Sequence, residues 1–362
     1  MRRRIIISGK VFTFFPLFAS ALVAALLVAT EFDSRIVLAV VGLTFGITAY
    51  LGNHFKSYLE NRRIRVWVLT LRRGAGSERR IGGVQEALAD TTSISLHVVR
   101  PERSDVSSEN WSTAEAAWLR KALLSAVANG ADFLVIDSAH RVIGDVGSDL
   151  LEVAESGRTV ILIGDLAFPP TRALNHLCIV KTDAAAGGFE IGQAVMRFLK
   201  DRPEAHGVLI VRSFPTLDRP RAAYAALALS LAGEMERTTV LTADNLSDLD
   251  LIRVKIDEIC DTMRGDVVVA CTTDAQLVVL SRSILKSLPQ HRDRLAFIGY
   301  DGTLDENGEL LVESSPLRVL GTVDAKPSEL GRLAGNEILR RIGRVGGRVE
   351  IVVSPEFRSV GQ

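Results

Sequence analysis

Short apolar runs alternate with amphipathic stretches over most of the sequence. The run at 64–71, IRVWVLTL, is rich in β-branched residues and predicts a first strand. A turn of Arg and Gly follows it, and 81–89 has the spacing of an amphipathic helix. Further apolar runs predict strands at 93–99, 133–136, 159–163, 178–181, 207–211, 238–241, 266–270, 295–298, 319–323 and 349–353.

Helical patterns separate these strands. They lie at 113–129, 146–156, 187–199, 220–232, 248–263, 275–288 and 328–342. Alternating strands and helices are typical of parallel sheets with crossover helices, so the fold class is α/β with doubly wound sheets. The series of alternating strands and helices occurs twice along the chain, and the chain returns to the first series near Asp324. This arrangement predicts two lobes around a cleft. We expect an N-terminal lobe of 64–182 plus 325–352 and a C-terminal lobe of 183–324 plus 353–362.

The stretch 294–303 shows the repeating strand-and-loop unit in full. Leu295 to Ile298 is apolar, and the turn residues Gly299 to Thr303 end it. This pattern is typical of a buried parallel strand whose carboxyl end faces a ligand crevice. Asp137 and Asp183 close other predicted strands as Asp301 closes this one. We therefore expect these three carboxylates at the edge of a crevice.

The first 60 residues have the pattern of a membrane anchor. Val11 to Thr30 contains no charged side chain, and at about 1.5 Å per residue it spans about 30 Å, the thickness of the hydrocarbon layer. A polar turn follows, and Ile36 to Gly52 is again uncharged. A cleaved signal peptide is the alternative for the first segment, but a second apolar segment so close behind it favours a helical hairpin.

The charges that flank these segments predict their orientation. Basic residues lie outside the two spans at Arg2, Arg3, Arg4, Lys10, Lys56, Arg62, Arg63 and Arg65. The turn between the spans carries Arg35 alone. Because basic residues favour the cytoplasmic side, we expect both ends of the anchor in the cytoplasm. The protein would then be a multi-pass protein of the bacterial inner membrane, with its large domain in the cytoplasm.

Composition narrows the function classes. The 43 basic and 43 acidic residues give a net charge of zero, so no global charge favours a polyanionic partner. The three cysteines, Cys178, Cys260 and Cys271, lie in apolar or helical patterns and predict buried, reduced thiols. No nucleophile elbow, metal-ligand spacing or dinucleotide fingerprint is found. We predict no enzymatic activity, no cofactor and no metal site.

Several motifs occur in the order of a known family. FIGYDGT at 297–303 resembles the VGFDGT signature of type I periplasmic sugar-binding proteins and of the ligand domains of lactose-repressor-like regulators. KTDAAAGG at 181–188 is similar to the Asp-Asn-x-x-Gly-Gly segment of that family, and RPRAAYAAL at 219–227 to its Arg-x-x-Gly-Phe-x-x-Ala-Leu helix. Thr273-Asp274 stands where the family has Asn-Asp, and 321–331 resembles the segment that leads into its last helix. The resemblance implies a two-lobed type I periplasmic-binding-protein-like fold after the two transmembrane helices.

The sequence also departs from that family at its ligand site. Ala184 stands for the family Asn, Ala325 for its Gln, and the loop after the first strand lacks the aromatic residues that stack on a sugar ring. These departures disfavour a neutral pentose or hexose. The Arg residues that remain favour an anionic ligand such as a phosphorylated sugar or a nucleotide, since guanidinium groups bind carboxylates and phosphates in pairs of hydrogen bonds.

The candidate ligand-binding residues follow from strand ends, the Arg-rich turn and the resemblance. The resemblance implies a role for Asp274 and for one of Arg219 and Arg221, of which we favour Arg219. The full set is Arg72, Arg73, Arg79, Asp137, Asp183, Arg219, Arg221, Asp274 and Asp301.

We therefore expect a membrane-anchored, non-enzymatic sensor whose lobes close on a small molecule and signal to the hairpin. The resemblance implies a homodimer. Membrane spans occupy the place where the repressor-like relatives carry a DNA-binding domain, so no nucleic-acid partner is expected. The alternatives are a membrane-tethered solute-binding protein of an ABC-type sugar import system, an enzyme on the same fold, and a scaffold that has lost its ligand.

Overall fold

The computed structural model describes most of the chain after residue 62. The described residues are 40–47, 50, 63–70, 75–101, 111–137, 140–164, 175–211, 218–242, 248–272, 274–301, 318–342, 344 and 347–359. The chain divides into two compact units, Met1–Arg65 with Thr91–Ser95, and Val66–Asp90 with Leu96–Gln362.

In the first unit the structure describes a helical segment at 40–47, in which the Thr44 hydroxyl donates to the Val40 carbonyl at 2.7 Å. The predicted first membrane span, 11–30, lies outside the described residues. Of the predicted second span, 36–52, only 40–47 and 50 are described. Among the residues that the structure describes, no helix is both long enough and apolar enough to cross a membrane.

Among the described residues, the second unit contains eight helices and two sheets, except for the first two residues of β1 and of β2, which belong to the first unit. The strands are β1 (Ile64–Thr70), β2 (Ile94–Val99), β3 (Phe133–Asp137), β4 (Thr159–Ile163), β5 (Leu177–Thr182), β6 (His206–Val211), β7 (Thr238–Thr242), β8 (Val267–Cys271), β9 (Leu295–Tyr300), β10 (Arg318–Asp324), β11 (Val349–Val353) and β12 (Glu356–Ser359). The helices are α1 (Ala75–Leu88), α2 (Trp111–Ala128), α3 (His140–Glu155), α4 (Ala184–Lys200), α5 (Asp218–Leu231), α6 (Asp248–Thr262), α7 (Asp274–Ser287) and α8 (Pro327–Arg341).

The two sheets have the same strand order. The first is β11-β5-β4-β3-β1-β2 and the second is β12-β10-β9-β8-β6-β7. The central pairs of both sheets are parallel, as in β1–β3, β3–β4, β6–β8 and β8–β9. Their central strands are apolar on both faces and wholly buried, which is the pattern of a parallel sheet covered by helices on both sides. The prediction of two doubly wound parallel sheets is confirmed.

Helices cover the second sheet on both faces. One apolar cluster joins that sheet to α4 and α5 through residues such as Val195, Phe198 and Leu229. A second cluster joins the opposite face to α6 and α7 through residues such as Ile256 and Leu280. In the first sheet, β3, β4 and β5 bury their apolar side chains together with those of α2 and α3. The three cysteines are buried and free, as the sequence predicts.

The chain crosses between the sheets three times. It leaves the first sheet after β5, returns after β10 through α8, and leaves again between β11 and β12. The sequence pattern does not predict β12, which pairs antiparallel with β10. Only Ser354 and Pro355 separate β12 from β11, so the chain enters the second sheet at its edge. A short polar strand of this kind has no apolar run to identify it.

Candidate functional site

The carboxyl ends of the two sheets meet where the chain crosses between them. The hydroxyl of Thr182, at the end of β5, donates to the carbonyl of Ala325, just after β10, at 3.0 Å. The N–H of Asp183 donates to the carbonyl of Val353, at the end of β11, at 2.9 Å. Because open α/β sheets bind ligands beyond the carboxyl ends of their strands, the residues at these ends form the candidate site.

Asp324 fixes the turn from β10 into α8. Its Oδ1 accepts the N–H of Lys326 at 2.7 Å, and its Oδ2 lies 2.6 Å from Nη2 of Arg358. Lys326 adopts a φ of 53°, in the left-handed region, and precedes the first turn of α8. Both oxygens of Asp324 therefore hold the crossing, which gives it a structural role there.

Asp137 lies at the carboxyl end of β3 and is 3% exposed. Its Oδ1 accepts from Nε of Arg80 at 2.7 Å, and its Oδ2 accepts from the hydroxyl of Thr70 at 3.1 Å. Thr70 is its register neighbour at the end of β1. Two side chains from two elements thus orient the Asp137 carboxylate at the edge of the first sheet.

Arg80 reaches Asp137 because α1 packs closely against α8. Gly331 of α8 lies so near the Arg80 carbonyl that a Cβ there would be 1.9 Å from its oxygen. Nη2 of Arg80 also donates to the hydroxyl of Ser77, one turn earlier in α1, at 3.2 Å. The glycine contact therefore brings α1 to the position from which its Arg spans to β3.

Arg221 is the counterpart of Arg80 in the second sheet. It is buried in α5, its guanidinium carbon lies 3.7 Å from the centroid of the Tyr300 ring, and its Nη1 donates to the carbonyl of Thr272 at 3.0 Å. Thr272 directly follows β8, and Tyr300 ends β9. The guanidinium therefore lies at the carboxyl ends of the two central strands of this sheet, held by a ring and a carbonyl.

Two glycines of α4 make this position possible. A Cβ on Gly187 would be 2.4 Å from the Tyr300 hydroxyl oxygen, and a Cβ on Gly188 would be 2.1 Å from the Arg221 carbonyl oxygen. Gly187 and Gly188 belong to the segment that the sequence relates to the family Gly-Gly motif. In this chain the two glycines let α4 approach both the ring and the helix that carries Arg221.

Asp301 continues β9 with an unusual backbone. Its φ is 117°, which non-glycine residues rarely adopt, while its N–H donates to the carbonyl of Val323 in β10 at 3.0 Å. Gly164 takes the same place after β4, with a φ of 125° and its N–H donating to Val180 of β5 at 2.9 Å. Glycine adopts this conformation without strain, whereas Asp301 costs on the order of 1–3 kcal/mol.

Asp183 has a clear local role. Its Oδ1 accepts the N–H groups of Ala185 and Ala186 at 2.9 and 3.0 Å, so it is the N-cap of α4. An N-cap side chain satisfies donors that the first helical turn leaves unpaired. The structure thus gives the predicted site residue Asp183 a capping function at the crossing.

Of the remaining candidates, the structure describes the side chain of Arg79 and leaves the others wholly or partly outside the described residues. Arg79 lies on α1 and is partly exposed. Arg72 and Arg73 lie outside the described residues. Arg219 is in the first turn of α5 and Asp274 begins α7, but their side chains are outside the described part of the chain. Of the two alternative Arg residues, Arg221 is therefore the one that the structure brings to the strand ends.

Sequence reasoning missed several residues of this edge, namely Arg80, Thr70, Thr272 and Tyr300. Arg80 is adjacent to the predicted Arg79, but only the helical phase decides which of the two faces β3. In the sequence pattern Tyr300 falls among the turn residues that end the apolar run, whereas in the structure it is the last residue of β9 and is buried. Carboxylates accept hydrogen bonds and guanidinium groups donate them, so the assembled edge suits a ligand rich in hydroxyl or anionic groups.

No protein-family model and no curated protein matches the chain, but solved structures match it. The myo-inositol-binding protein of Caulobacter, bound to myo-inositol, is 16% identical with a TM-score of 0.60, over 83% of this chain and 94% of that one. An ABC transporter solute-binding protein from Bacillus halodurans C-125, also with bound myo-inositol, is 12% identical with a TM-score of 0.59, over 83% and 95%.

A regulator has the same fold. A LacI transcriptional regulator from a Rhodococcus species is 14% identical with a TM-score of 0.58, over 82% of this chain and 97% of that one. These neighbours are two binding proteins and a regulator. At such identities the likeness concerns the architecture. The chain has the two-lobed α/β fold of type I periplasmic binding proteins, with two parallel sheets.

Proposed function

We propose that this chain is a non-enzymatic binding protein whose lobes close on a small polyhydroxylated molecule, such as a sugar or a cyclic polyol. The observation that carries the proposal is the pair of oriented charged groups at facing strand ends. Asp137 is fixed at the carboxyl edge of one sheet, and Arg221 at the carboxyl edge of the other. The lobes can close by a hinge at the crossing, which requires only that the ligand bind the closed state more tightly.

Each of the two groups has a role toward hydroxyl groups. Asp137 accepts hydrogen bonds, and Arg80 and Thr70 keep its carboxylate in one orientation. Arg221 donates hydrogen bonds from a guanidinium whose plane is set by the ring of Tyr300 and the carbonyl of Thr272. Groups held in place in this way lose little conformational entropy when a ligand binds.

The charges favour a neutral ligand over the phosphorylated sugar or nucleotide that the Arg-rich turn suggests. In the first lobe, the charge of Arg80 is paired with that of Asp137 at 2.7 Å. A phosphate would have to compete with this carboxylate for the guanidinium. The proposal is also supported by the neutral polyol myo-inositol, which is bound in two of the neighbouring structures.

Thermal unfolding of the full-length chain in detergent tests this function. The compounds would be myo-inositol, D-allose, D-glucose, D-galactose and glycerol, with inositol phosphate and glucose 6-phosphate as anionic counterparts. A ligand at 100 times its Kd should stabilise the protein by about 2.7 kcal/mol. Protection by phosphorylated compounds alone would support the anionic ligand instead, and the absence of protection by any compound at millimolar concentration would favour the scaffold without ligand.

A matched pair of Arg variants locates the binding. Arg221→Met should lower affinity about tenfold or more, because a hydrogen bond to a charged group contributes roughly 1.5–3 kcal/mol. Arg318→Met is the control, since Arg318 lies at the amino end of β10 and pairs with Asp266 at 3.0 Å. Equal affinities in the two variants would remove Arg221 from the site.

For the biological role we propose solute capture for an importer as the first candidate. Its support is that several neighbours are solute-binding proteins of ABC transporters. The second candidate is a membrane-anchored sensor with its lobes in the cytoplasm, supported by the basic residues on both sides of 11–52. Reporters fused after Gln362, one active only in the cytoplasm and one only outside, distinguish them. A cytoplasmic signal supports the sensor, and an external signal supports solute capture.

A further inference from the structure

A group of metal-ligating side chains lies at the end of the second sheet opposite the candidate site. Asp257 and Asp261 are one turn apart near the carboxyl end of α6, and His291 belongs to the 3₁₀ turn Pro289–Arg294 that leads into β9. Nε2 of His291 is 3.1 Å from Oδ1 of Asp257 and 3.1 Å from Oδ1 of Asp261. The three ligand atoms all lie within 4.8 Å of one another.

The burial of His291 indicates more than a surface ion pair. Its side chain is 9% exposed, and its Nε2 is buried and points at the two carboxylates without the geometry of a hydrogen bond to either. An N–H on Nε2 would be shared between two oxygens at the same distance, and the hydrogen-bond geometry is good toward neither. A cation between the three atoms would use the lone pair of Nε2 and one oxygen of each carboxylate.

The two distances from Nε2 of His291 to the carboxylate oxygens fit a small divalent ion. At zinc–ligand distances of 2.0–2.2 Å, two ligand atoms are about 3.4 Å apart in a tetrahedral site and about 3.0 Å apart in an octahedral one. The observed 3.1 Å lies between these values. One imidazole with two carboxylates is also a ligand set that suits zinc and its first-row neighbours.

The positions of Asp257 and Asp261 on α6 are also unfavourable for two negative charges, which a bound cation would neutralise. Like charges four residues apart on a helix destabilise it, and negative charge near a helix carboxyl end is opposed by the helix dipole. The last turn of α6 has no basic residue, although Arg294 donates to the carbonyl of Cys260 at 2.9 Å. A cation bound by Asp257 and Asp261 would offset both costs.

We propose that Asp257, Asp261 and His291 form a binding site for a divalent transition-metal ion such as Zn²⁺, which clamps α6 to the turn before β9. Gln290, which donates to Oδ1 of Asp257 at 3.5 Å, helps to orient that ligand. Three protein ligands leave a coordination position for water. The clamp lies at the amino end of β9, about 16 Å along the strand from Tyr300, so it stabilises the lobe and does not enter the ligand site.

Zinc binding to the full-length chain tests the clamp. The protein is treated with EDTA, dialysed, and titrated with Zn²⁺ in competition with a chelating dye, and thermal unfolding is followed in parallel. We expect a site that holds one Zn²⁺ per chain and raises Tm by about 5 °C when zinc is at 100 times its Kd. The ligand screen described above is independent of this result, so either proposal can fail alone.

Matched variants assign the site. Asp261→Asn changes a side chain that is 72% exposed, so the fold should persist, and we expect it to weaken zinc binding on the order of tenfold or more. Asp250→Asn is the control on the same helix, with a side chain that is 79% exposed, and should bind as the wild type does. The clamp is refuted if the wild type binds no zinc at micromolar concentration, or if Asp261→Asn and Asp250→Asn bind it equally. A Tm that falls in Asp261→Asn by the same amount with zinc and with EDTA would show an ion pair only.

Discussion

The two lobes carry an arginine at the same point of their topology but surround it with different groups. In each lobe the arginine lies on the helix that follows the first strand, as Arg80 in α1 and Arg221 in α5. A glycine of the helix that follows the crossing lies against the backbone carbonyl of that arginine. Arg80 pairs with the carboxylate of Asp137, whereas Arg221 lies over the ring of Tyr300. One backbone arrangement therefore presents a neutralised guanidinium in the first lobe and a guanidinium held by an aromatic ring in the second.

The helices after the two crossings differ in a similar way. In α8 the buried residues include Glu337 and Arg341, which form an ion pair, and Arg341 donates to the carbonyls of Asn175 and Gly347 at 3.1 and 2.7 Å. In α4 the corresponding buried positions, Ala194 and Phe198, are apolar. The first lobe thus pairs the arginines at its site and behind it with carboxylates, whereas in the second lobe Arg221 lies on an aromatic ring and α4 buries apolar side chains.

The largest effect is expected at Glu337. Glu337→Ala leaves Arg341 buried without its carboxylate, and such losses cost about 3–5 kcal/mol. Chemical denaturation of the full-length chain measures the cost. Glu329→Ala is the control on the same helix, because Glu329 is partly exposed and lies 3.9 Å from Arg332, and it should change stability by about 0.5 kcal/mol or less. A small effect of Glu337→Ala would mean that the buried charges of α8 do not distinguish the lobes.

The same residue sets a pH dependence. Burial raises the pKa of Glu337, but hydrogen bonds and charges from Arg340 and Arg341 outweigh burial, so its pKa is lowered overall. A lowered pKa contributes stability that is present above the unfolded value of about 4.3 and is lost as pH falls through the folded value. The wild type should therefore lose stability below about pH 4, and Glu337→Gln should lose less over the same interval.

The glycine contacts test whether the lobes are equivalent. Gly331→Ala and Gly188→Ala each place a methyl group against a backbone carbonyl, at 1.9 and 2.1 Å before relaxation. We expect both to cost about 1–3 kcal/mol, because overpacking shifts the paired helices apart. Gly82→Ala on α1 has no atom within 4 Å of its Cβ and should stabilise by about 0.5–1 kcal/mol. Unequal costs of the two contacts, measured by denaturation, would break the equivalence.

Replacing each arginine by Met sharpens the comparison between the two environments. Arg80→Met removes the cation from a buried carboxylate and should cost about 1–3 kcal/mol. Arg221→Met keeps an apolar chain over the Tyr300 ring but loses a cation–π contact of about 0.5–2 kcal/mol and the hydrogen bond to the Thr272 carbonyl. It leaves behind only a neutral carbonyl, whereas Arg80→Met leaves a buried carboxylate, whose unmet hydrogen bonds cost more. In stability Arg80→Met should therefore be the more costly, while in ligand affinity Arg221→Met should be at least as damaging. The reverse order of stabilities would show that the Asp137 carboxylate tolerates the loss of its partner.

The sequence is sufficient to predict the sheets because their central strands are buried runs closed by turn residues, as Leu295–Tyr300 shows. It also leads to Asp137, since a carboxylate directly after such a run lies at the crevice edge. It does not lead to Arg80 or to the Arg221–Tyr300 contact, because these depend on helix phase and on glycine contacts between elements distant in sequence. It also gives no indication that His291 meets Asp257 and Asp261, whose spacing matches no known metal motif.

Asp301 and Gly164 provide the finest test of the difference between the lobes. Both follow the fourth strand of their lobe with φ above 110°, but only Gly164 takes that value without strain. Asp301→Gly should stabilise the protein by about 1 kcal/mol, and Gly164→Ala should destabilise it by a similar amount. If the carboxylate of Asp301 serves the ligand, the stabilised Asp301→Gly variant should bind the polyol more weakly than wild type. A variant that is more stable and binds equally well would mean that the strain at Asp301 has no function in binding.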